Sequence, residues 1–133
     1  MCALIYFLVG LGGVVGSLLR YLLSVFAVVV WGKEFPIGTL LINLTGSFLL
    51  GFMTNHVVSS NKLHPYLFTA LTTGVIGSYT TFSTFCFETV HLLETGKYIF
   101  GFLYLIVSLF GGLFLVKAGM LLSEQANKSR RVI

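Results

Sequence analysis

Four stretches of this sequence are almost free of charge, and each is long enough to cross a lipid bilayer. A transmembrane helix needs about 20 consecutive apolar residues. The 133 residues include 8 basic and 4 acidic side chains, whereas about a quarter of a typical soluble domain is charged. The sequence therefore predicts a single all-α integral membrane domain over residues 1–133 with four transmembrane helices. The predicted spans are 2–31, 36–58, 64–94 and 98–122.

Basic residues in the predicted loops give only a weak orientation signal. With four spans, both termini and the middle loop share a side, which holds Lys62 and the basic tail at 128–131. The other side holds Lys33 and Lys97. Basic residues favour the cytoplasmic side. Without the tail, however, the two sides carry nearly equal numbers of basic residues. We therefore expect a protein that inserts in either orientation.

Small residues recur at spacings that bring helices close together. Gly12 and Gly16 form a G-x-x-x-G pattern in the first span, and Gly51 and Gly119 lie in the second and fourth spans. Helices in lipid associate through such close contacts because lipid tails give no hydrophobic drive between them. Four helices have too little bulk to enclose a pathway, so we expect a dimer built on these faces.

The second span carries a polar stripe. Thr39, Asn43 and Ser47 follow at i, i+4 and i+8, so they lie along one side of the predicted helix. A polar side chain in a membrane helix needs a hydrogen-bond partner. The stripe is explained either by interhelical hydrogen bonds or by the polar lining of a pathway.

The third stretch is a poor candidate for one continuous helix. Gly74 and Gly77 are followed by the polar or amphipathic residues 78–81, so we expect a break near 74–81. Broken helices occur at membrane depth where the backbone lines a site. Carbonyl groups freed at such a break hold small cations, and freed amides hold anions.

Aromatic and polar side chains follow this break in a helical pattern. Phe82 and Phe85 share one face. The polar positions are Thr81, Thr84 and Glu88 on the neighbouring face and Ser83 on another. The edge of a phenyl ring is electropositive, so ring edges beside hydroxyl groups suit a small anion. Weak binding of this kind favours conduction. The alternative explanation is that the two rings only pack against neighbouring helices, which is the more common role of such a pair.

Three segments together resemble the Fluc (CrcB) family of fluoride channels. They are residues 12–21 (GGVVGSLLRY), 38–51 (GTLLINLTGSFLLG) and 74–88 (GVIGSYTTFSTFCFE). The resemblance covers the chain in length, span number and motif order, and the second and third segments are the specific ones. One departure is Ser78, where the family often has a second glycine. Serine adopts positive φ much less readily than glycine, so the backbone geometry of the family's cation site could differ in this chain.

The resemblance implies an assembly and an activity. The implied assembly is an antiparallel, dual-topology homodimer, or a heterodimer with a paralogous chain, in a bacterial cell membrane. Two fluoride pathways would run at the dimer interface. One structural Na⁺ would lie at the dimer centre, bound by the backbone carbonyls of Gly77 and Thr80. The implied activity is passive, fluoride-selective export that relieves fluoride toxicity.

The resemblance also implies roles for individual side chains. Phe82 and Phe85 match the pore phenylalanines of the family. Asn43 matches its pore asparagine, and Arg20 matches an arginine of the aqueous vestibule. Arg20 has a second explanation, because a long basic side chain can extend to the membrane interface. The other implied members of the polar track are Thr39, Thr81, Ser83, Thr84, Glu88, Tyr104 and Ser108.

Two other membrane classes fit the length and the span number. Small multidrug or cation exporters use a carboxylate in the first span, where this chain has Arg20 instead. Holin-type pore formers need neither the Asn43 stripe nor a broken third span. An enzyme is the least favoured class, because the sequence has no paired carboxylates, no His/Cys metal spacing and no Ser/His/Asp set. The short basic tail does not indicate a nucleic-acid partner.

Overall fold

All secondary structure in the described part of the chain is helical. The computed structural model describes residues 2–60 and 63–131, with side chains for 3–56 and 63–128. Lys62, one of the basic residues that predict the orientation in the membrane, lies outside these residues. The side chains of Arg130 and Arg131 also lie outside them. The elements are α1 (Cys2–Trp31), α2 (Ile37–Ser60), α3 (Pro65–Thr69), a π-helical segment (Ala70–Ile76), α4 (Gly77–Tyr79), α5 (Phe82–Glu94) and α6 (Tyr98–Arg131).

Three helices are long and apolar enough to cross a membrane, namely Ala3–Trp31, Ile37–His56 and Tyr98–Lys128. The predicted all-α membrane fold is confirmed at the level of these three helices. Helix α6 continues past the predicted end of its span at residue 122. It has 34 residues, and a rise of about 1.5 Å per residue makes it about 50 Å long. It therefore extends beyond a hydrocarbon core of about 30 Å.

The third apolar stretch is divided among several helical segments. After α4 ends at Tyr79, Thr80 and Thr81 are extended, with φ/ψ of −76°/158° and −147°/126°. Helix α5 starts at Phe82, and the Thr81 hydroxyl caps it by accepting a 3.3 Å hydrogen bond from the Thr84 amide. The backbone thus leaves helical geometry for two residues between α4 and α5.

Two glycine turns connect α1 to α2 and α5 to α6. Gly32 and Gly96 have φ of 77° and 75°, a region that residues with a Cβ rarely adopt. The amide of Gly96 donates to Leu93 at 3.1 Å, and the amide of Lys97 donates to Leu92 at 2.9 Å. These bonds satisfy carbonyls at the end of α5 and turn the chain into α6.

Glycines make the closest helix contacts inside the subunit. A Cβ on Gly12 or Gly16 would overlap the backbone of the π-helical segment. A Cβ on Gly51 would overlap Val116 in α6, and one on Gly119 would overlap the backbone of α2. The expectation that these faces build the dimer interface is therefore wrong for these four glycines, because helices of the same chain fill the space beside them.

The outer surface of the helices is apolar. Val29 on α1 and Ile99 and Phe114 on α6 are among many large apolar side chains that are exposed. So many exposed apolar side chains would be unfavourable in water. It suits helices whose outer faces contact lipid, with their backbone groups bonded internally.

Candidate functional site

Two cavities contain most of the residues predicted to form an ion pathway. The first, of about 380 Å³, has among its lining residues Asn43, Ser47, Gly77, Thr80, Thr81, Phe82, Phe85 and Ser108. The second, of about 440 Å³, has among its lining residues Thr39, Thr84 and Glu88. Arg20, Ser83 and Tyr104 line neither of these cavities. The polar residues of α2 and of the third stretch are therefore brought together, but around two spaces.

Asn43 holds the extended backbone between α4 and α5. Its Nδ2 donates to the Thr81 carbonyl, and its Oδ1 accepts from the Thr81 amide, both at 2.9 Å. One side chain thus satisfies both backbone groups of a residue that has left the helix, as backbone in a membrane requires. Asn43 also lines the first cavity. It therefore both joins two segments by hydrogen bonds and contributes to the lining of a cavity.

The carbonyls of Gly77 and Thr80 lie at this interruption. In a continuous α-helix they would accept from the amides of Thr81 and Thr84. The Thr81 amide donates to Asn43 instead, and the Thr84 amide donates to the Thr81 hydroxyl. The Gly77 carbonyl is left with the Thr80 hydroxyl at 3.5 Å. Both carbonyls have thus lost their helical donors beside the first cavity.

Glu88 is held by hydroxyl groups from two other helices. Thr39 Oγ1 donates to Oε1 of Glu88, and the Tyr104 hydroxyl donates to Oε2, each at 2.8 Å. Tyr104 is fully buried, and Thr39 is nearly so. Short hydrogen bonds to a carboxyl group are among the stronger ones in proteins. The Glu88 carboxyl is therefore fixed at the wall of the second cavity.

Hydroxyl groups connect the two cavities. Thr81 lines the first cavity and Thr84 lines the second. Thr81 Oγ1 donates to Thr84 Oγ1 at 3.0 Å, and Ser83 Oγ lies 3.4 Å from Thr81 Oγ1. The start of α5 is thus where the polar groups of the two spaces meet.

Phe82 and Phe85 line the first cavity in different settings. Their ring centroids are 6.0 Å apart, with the planes tilted by 34°. Phe82 is 78% exposed. Phe85 also packs on Tyr104, with centroids 5.1 Å apart. Phe85 is therefore half-buried against Tyr104, whereas Phe82 is mostly exposed to the space outside the subunit.

Ser108 and Arg20 differ in their relation to the cavities. Ser108 Oγ is buried at the first cavity and has no hydrogen-bond partner among the described residues. A buried hydroxyl without a partner is unfavourable, so the Ser108 hydroxyl has unused hydrogen-bonding capacity beside this cavity. Arg20 is half-buried on α1 and away from both cavities, so the vestibule role implied for it stays a prediction.

Four titratable side chains that line the second cavity were not among the predicted site residues. They are Lys33, Glu34, His91 and Lys97. Both lysines lie in loops that the sequence places on the same side of the membrane, and this shared side was a usable signal that the two loops meet. His91 follows Glu88 by three residues on α5, and helical periodicity places such residues on adjoining parts of one face.

Comparison with known proteins identifies the family. Residues 7–120 match the family model described as CrcB-like protein, Camphor Resistance (CrcB). Over 124 residues the chain is 42% identical to fluoride-specific ion channel FluC 1 of Bacillus cereus, covering 93% of this chain and 90% of that protein. FluC 2 of Geobacillus kaustophilus is 42% identical over 125 residues, covering 94% and 97%. FluC of Rhizobium meliloti is 42% identical over 115 residues, covering 86% and 92%. The chain is therefore a multi-pass membrane protein that belongs to the CrcB family.

Proposed function

We infer that this chain is a fluoride-specific ion channel through which fluoride leaves the bacterial cytoplasm passively. Relatives aligned over 93% and 94% of the chain are named as such channels. The structural observation that carries the proposal is the first cavity, whose described lining residues are all uncharged and include an amide, hydroxyl groups and two phenyl rings. A lining of this kind binds a small anion weakly enough to release it.

The two cavities are successive sections of one pathway in this proposal. Fluoride loses water on entering a narrow space, and dehydration is unfavourable unless donors replace the water. Thr84 and Ser108 offer hydroxyl donors, and the Thr81 hydroxyl orients Thr84 by donating to its Oγ1. Phe82 and Phe85 offer ring edges, whose positive potential attracts an anion without a full charge. Such a series of weak contacts permits rapid transit, which a lysine or arginine in the same place would slow.

A second subunit completes the pathway. The exposed ring of Phe82 at the first cavity supports this step, because a pore residue needs a wall opposite it. We assign the segment Pro65–Glu94 as the third of four spans, interrupted at Thr80 and Thr81. The nearly even loop charge supports two antiparallel subunits that insert in opposite orientations, as a homodimer or with a paralogous chain.

A sodium ion suits the interruption between α4 and α5. The carbonyl oxygens of Gly77 and Thr80 have lost their helical donors, and unwound backbone carbonyls are ligands for Na⁺ in membrane proteins. When bound, the ion supplies a fixed positive charge that ties the interrupted segments together. Asn43 prepares the site by withdrawing the Thr81 amide from the Gly77 carbonyl.

Ion efflux from liposomes tests the proposed function. The purified protein is reconstituted with potassium fluoride inside, valinomycin is added, and fluoride release is followed with an electrode while chloride release is measured in parallel. We expect fast fluoride release that requires the potassium counter-current, and no chloride release. Absence of fluoride release from a monodisperse dimer would contradict a homodimeric channel. Proton-driven transport of a lipophilic cation would then support the small multidrug exporter class.

A further inference from the structure

The second cavity has two lysines at its edge that the pathway described above does not use. We propose that Lys33 and Lys97 form an anion-collecting mouth, which concentrates fluoride at the Glu88 end of the pathway. This inference rests on the proposed function and deepens it. Lys33 lies between α1 and α2, Lys97 lies between α5 and α6, and both line the second cavity. Residues from two separate loops thus border one space.

Backbone geometry places both lysines. Gly32 ends α1 with φ of 77°, and Lys33 follows it directly. Gly96 follows α5 with φ of 75°, and the Lys97 amide donates to the Leu92 carbonyl at 2.9 Å. Lys97 is half-buried and Lys33 is exposed. Each side chain therefore starts from a defined turn at the edge of the second cavity.

The charged groups around the second cavity balance one another. The charged and titratable lining residues are Lys33, Glu34, Glu88, His91 and Lys97. Two ammonium groups offset two carboxyl groups when all four are ionised. Neutralising either lysine leaves excess negative charge beside the path of an anion. The first cavity is different, because its described lining residues are all uncharged.

The position of Glu88 explains why cations are needed at this end. Its carboxyl group is held by Thr39 and Tyr104 at 2.8 Å each, so turning away would break both hydrogen bonds. When it is ionised, this carboxyl group repels a fluoride ion in the second cavity. Lysines at the edge offset this repulsion, and apolar walls that include Phe35 and Phe87 focus their field into the cavity.

Fluoride efflux at two ionic strengths tests the mouth. The full-length channel is reconstituted in neutral phosphatidylcholine vesicles, and an impermeant potassium salt on both sides sets the ionic strength at about 10 mM or about 1 M, where the Debye length is about 30 Å or 3 Å. K33Q/K97Q should slow the initial fluoride efflux about two- to tenfold at low ionic strength. At high ionic strength the rate should approach that of the wild type, because screening removes the difference.

Two further variants make the result decisive, with all rates expressed per dimer. K117Q removes one positive charge at an exposed position of α6 outside both cavities, and it should show no salt-dependent loss. K33R/K97R keeps the charges and should restore the rate at low ionic strength. A wild-type rate for K33Q/K97Q at low ionic strength, or an equal loss at both ionic strengths, would overturn the mouth while fluoride conduction stands. Absence of fluoride efflux from the wild type would contradict the proposed function, and the mouth with it.

Discussion

The side-chain amide of Asn43 makes two 2.9 Å hydrogen bonds to the backbone of Thr81, one to its carbonyl and one from its amide. The two residues are 38 positions apart in the sequence. The pairing takes the Thr81 amide away from the Gly77 carbonyl, which would be its acceptor in a continuous helix. The geometry of the interruption therefore depends on one side chain of α2.

Asn43→Asp should abolish fluoride flux. A carboxylate lacks the donor for the Thr81 carbonyl, so two acceptor oxygens would face each other. It also places a negative charge in the first cavity. Two like charges 4 Å apart repel by about 4 kcal/mol at an effective dielectric constant of 20, which corresponds to about a thousandfold in rate. The measurement is fluoride efflux from liposomes that contain equal amounts of dimer.

Asn55→Asp is the matched control for this change. Asn55 lies on the same helix, and its Nδ2 donates to the Met120 carbonyl at 2.8 Å, but it lines neither cavity. The variant should unfold at a lower temperature and retain a flux per dimer close to that of the wild type. Wild-type flux in Asn43→Asp, or an equal loss in both variants, would contradict the role given to Asn43.

Phe82→Ile and Phe85→Ile should each lower fluoride flux while the dimer persists. An edge contact worth about 1 kcal/mol corresponds to about a fivefold change in rate. Phe85→Ile should also lower the unfolding free energy by about 1–2 kcal/mol, because its ring packs on Tyr104. Phe114→Ile is the control, since Phe114 is 71% exposed on α6 outside both cavities. Wild-type flux in both cavity variants would rule out a pore role.

Helical periodicity predicted which residues share a face but not what they contact. Thr39 and Asn43 were placed on one stripe of α2, and both side chains do bond the third stretch. The partner atoms depend on how α2 is positioned along that stretch, and no local pattern encodes this position. The 2.9 Å hydrogen bond between Thr45 and Tyr79 was missed for the same reason.

The glycine pattern predicted a close contact between helices, but not which subunit supplies the second helix. The spacing of Gly12 and Gly16 predicts a close approach of another backbone, and the structure has one. The spacing does not say whether that backbone belongs to the same subunit, because the contact geometry is alike in both cases. The two lysines of the second cavity were overlooked because they lie in loops, which carry no periodicity.

Tyr104→Phe should lower both flux and stability. The change removes the donor to Oε2 of Glu88 and keeps the ring that packs on Phe85. A hydrogen bond to a charged group contributes about 1.5–3 kcal/mol, so flux should fall about ten- to a hundredfold if the Glu88 position matters for conduction. Tyr98→Phe, at an exposed position of α6, removes a hydroxyl without this contact. Unchanged flux and unfolding temperature in Tyr104→Phe would show that the carboxyl needs no such support.

Sodium should stabilise the dimer against dissociation and thermal unfolding. A ligand present at 100 times its Kd stabilises the bound state by about 2.7 kcal/mol. The comparison is between sodium, potassium and N-methylglucamine salts at constant ionic strength. Asn43→Ala frees the Thr81 amide to bond the Gly77 carbonyl, so this variant should respond less to sodium. Equal stability of the wild type in all three salts would contradict the carbonyl site.

Gly16→Ala should destabilise the subunit, whereas Gly10→Ala should not. A Cβ on Gly16 would overlap the Val75 carbonyl and lie 3.0 Å from the Tyr79 amide nitrogen, but nothing lies within 4 Å of a Cβ on Gly10. Overpacking costs about 1–3 kcal/mol, and alanine is favoured over glycine in a helix by about 0.8–1 kcal/mol. Both variants gain the helix preference of alanine, so their unfolding free energies should differ by the overpacking cost alone, about 1–3 kcal/mol in detergent. Equal stabilities would show that α1 does not pack on the third stretch through this face.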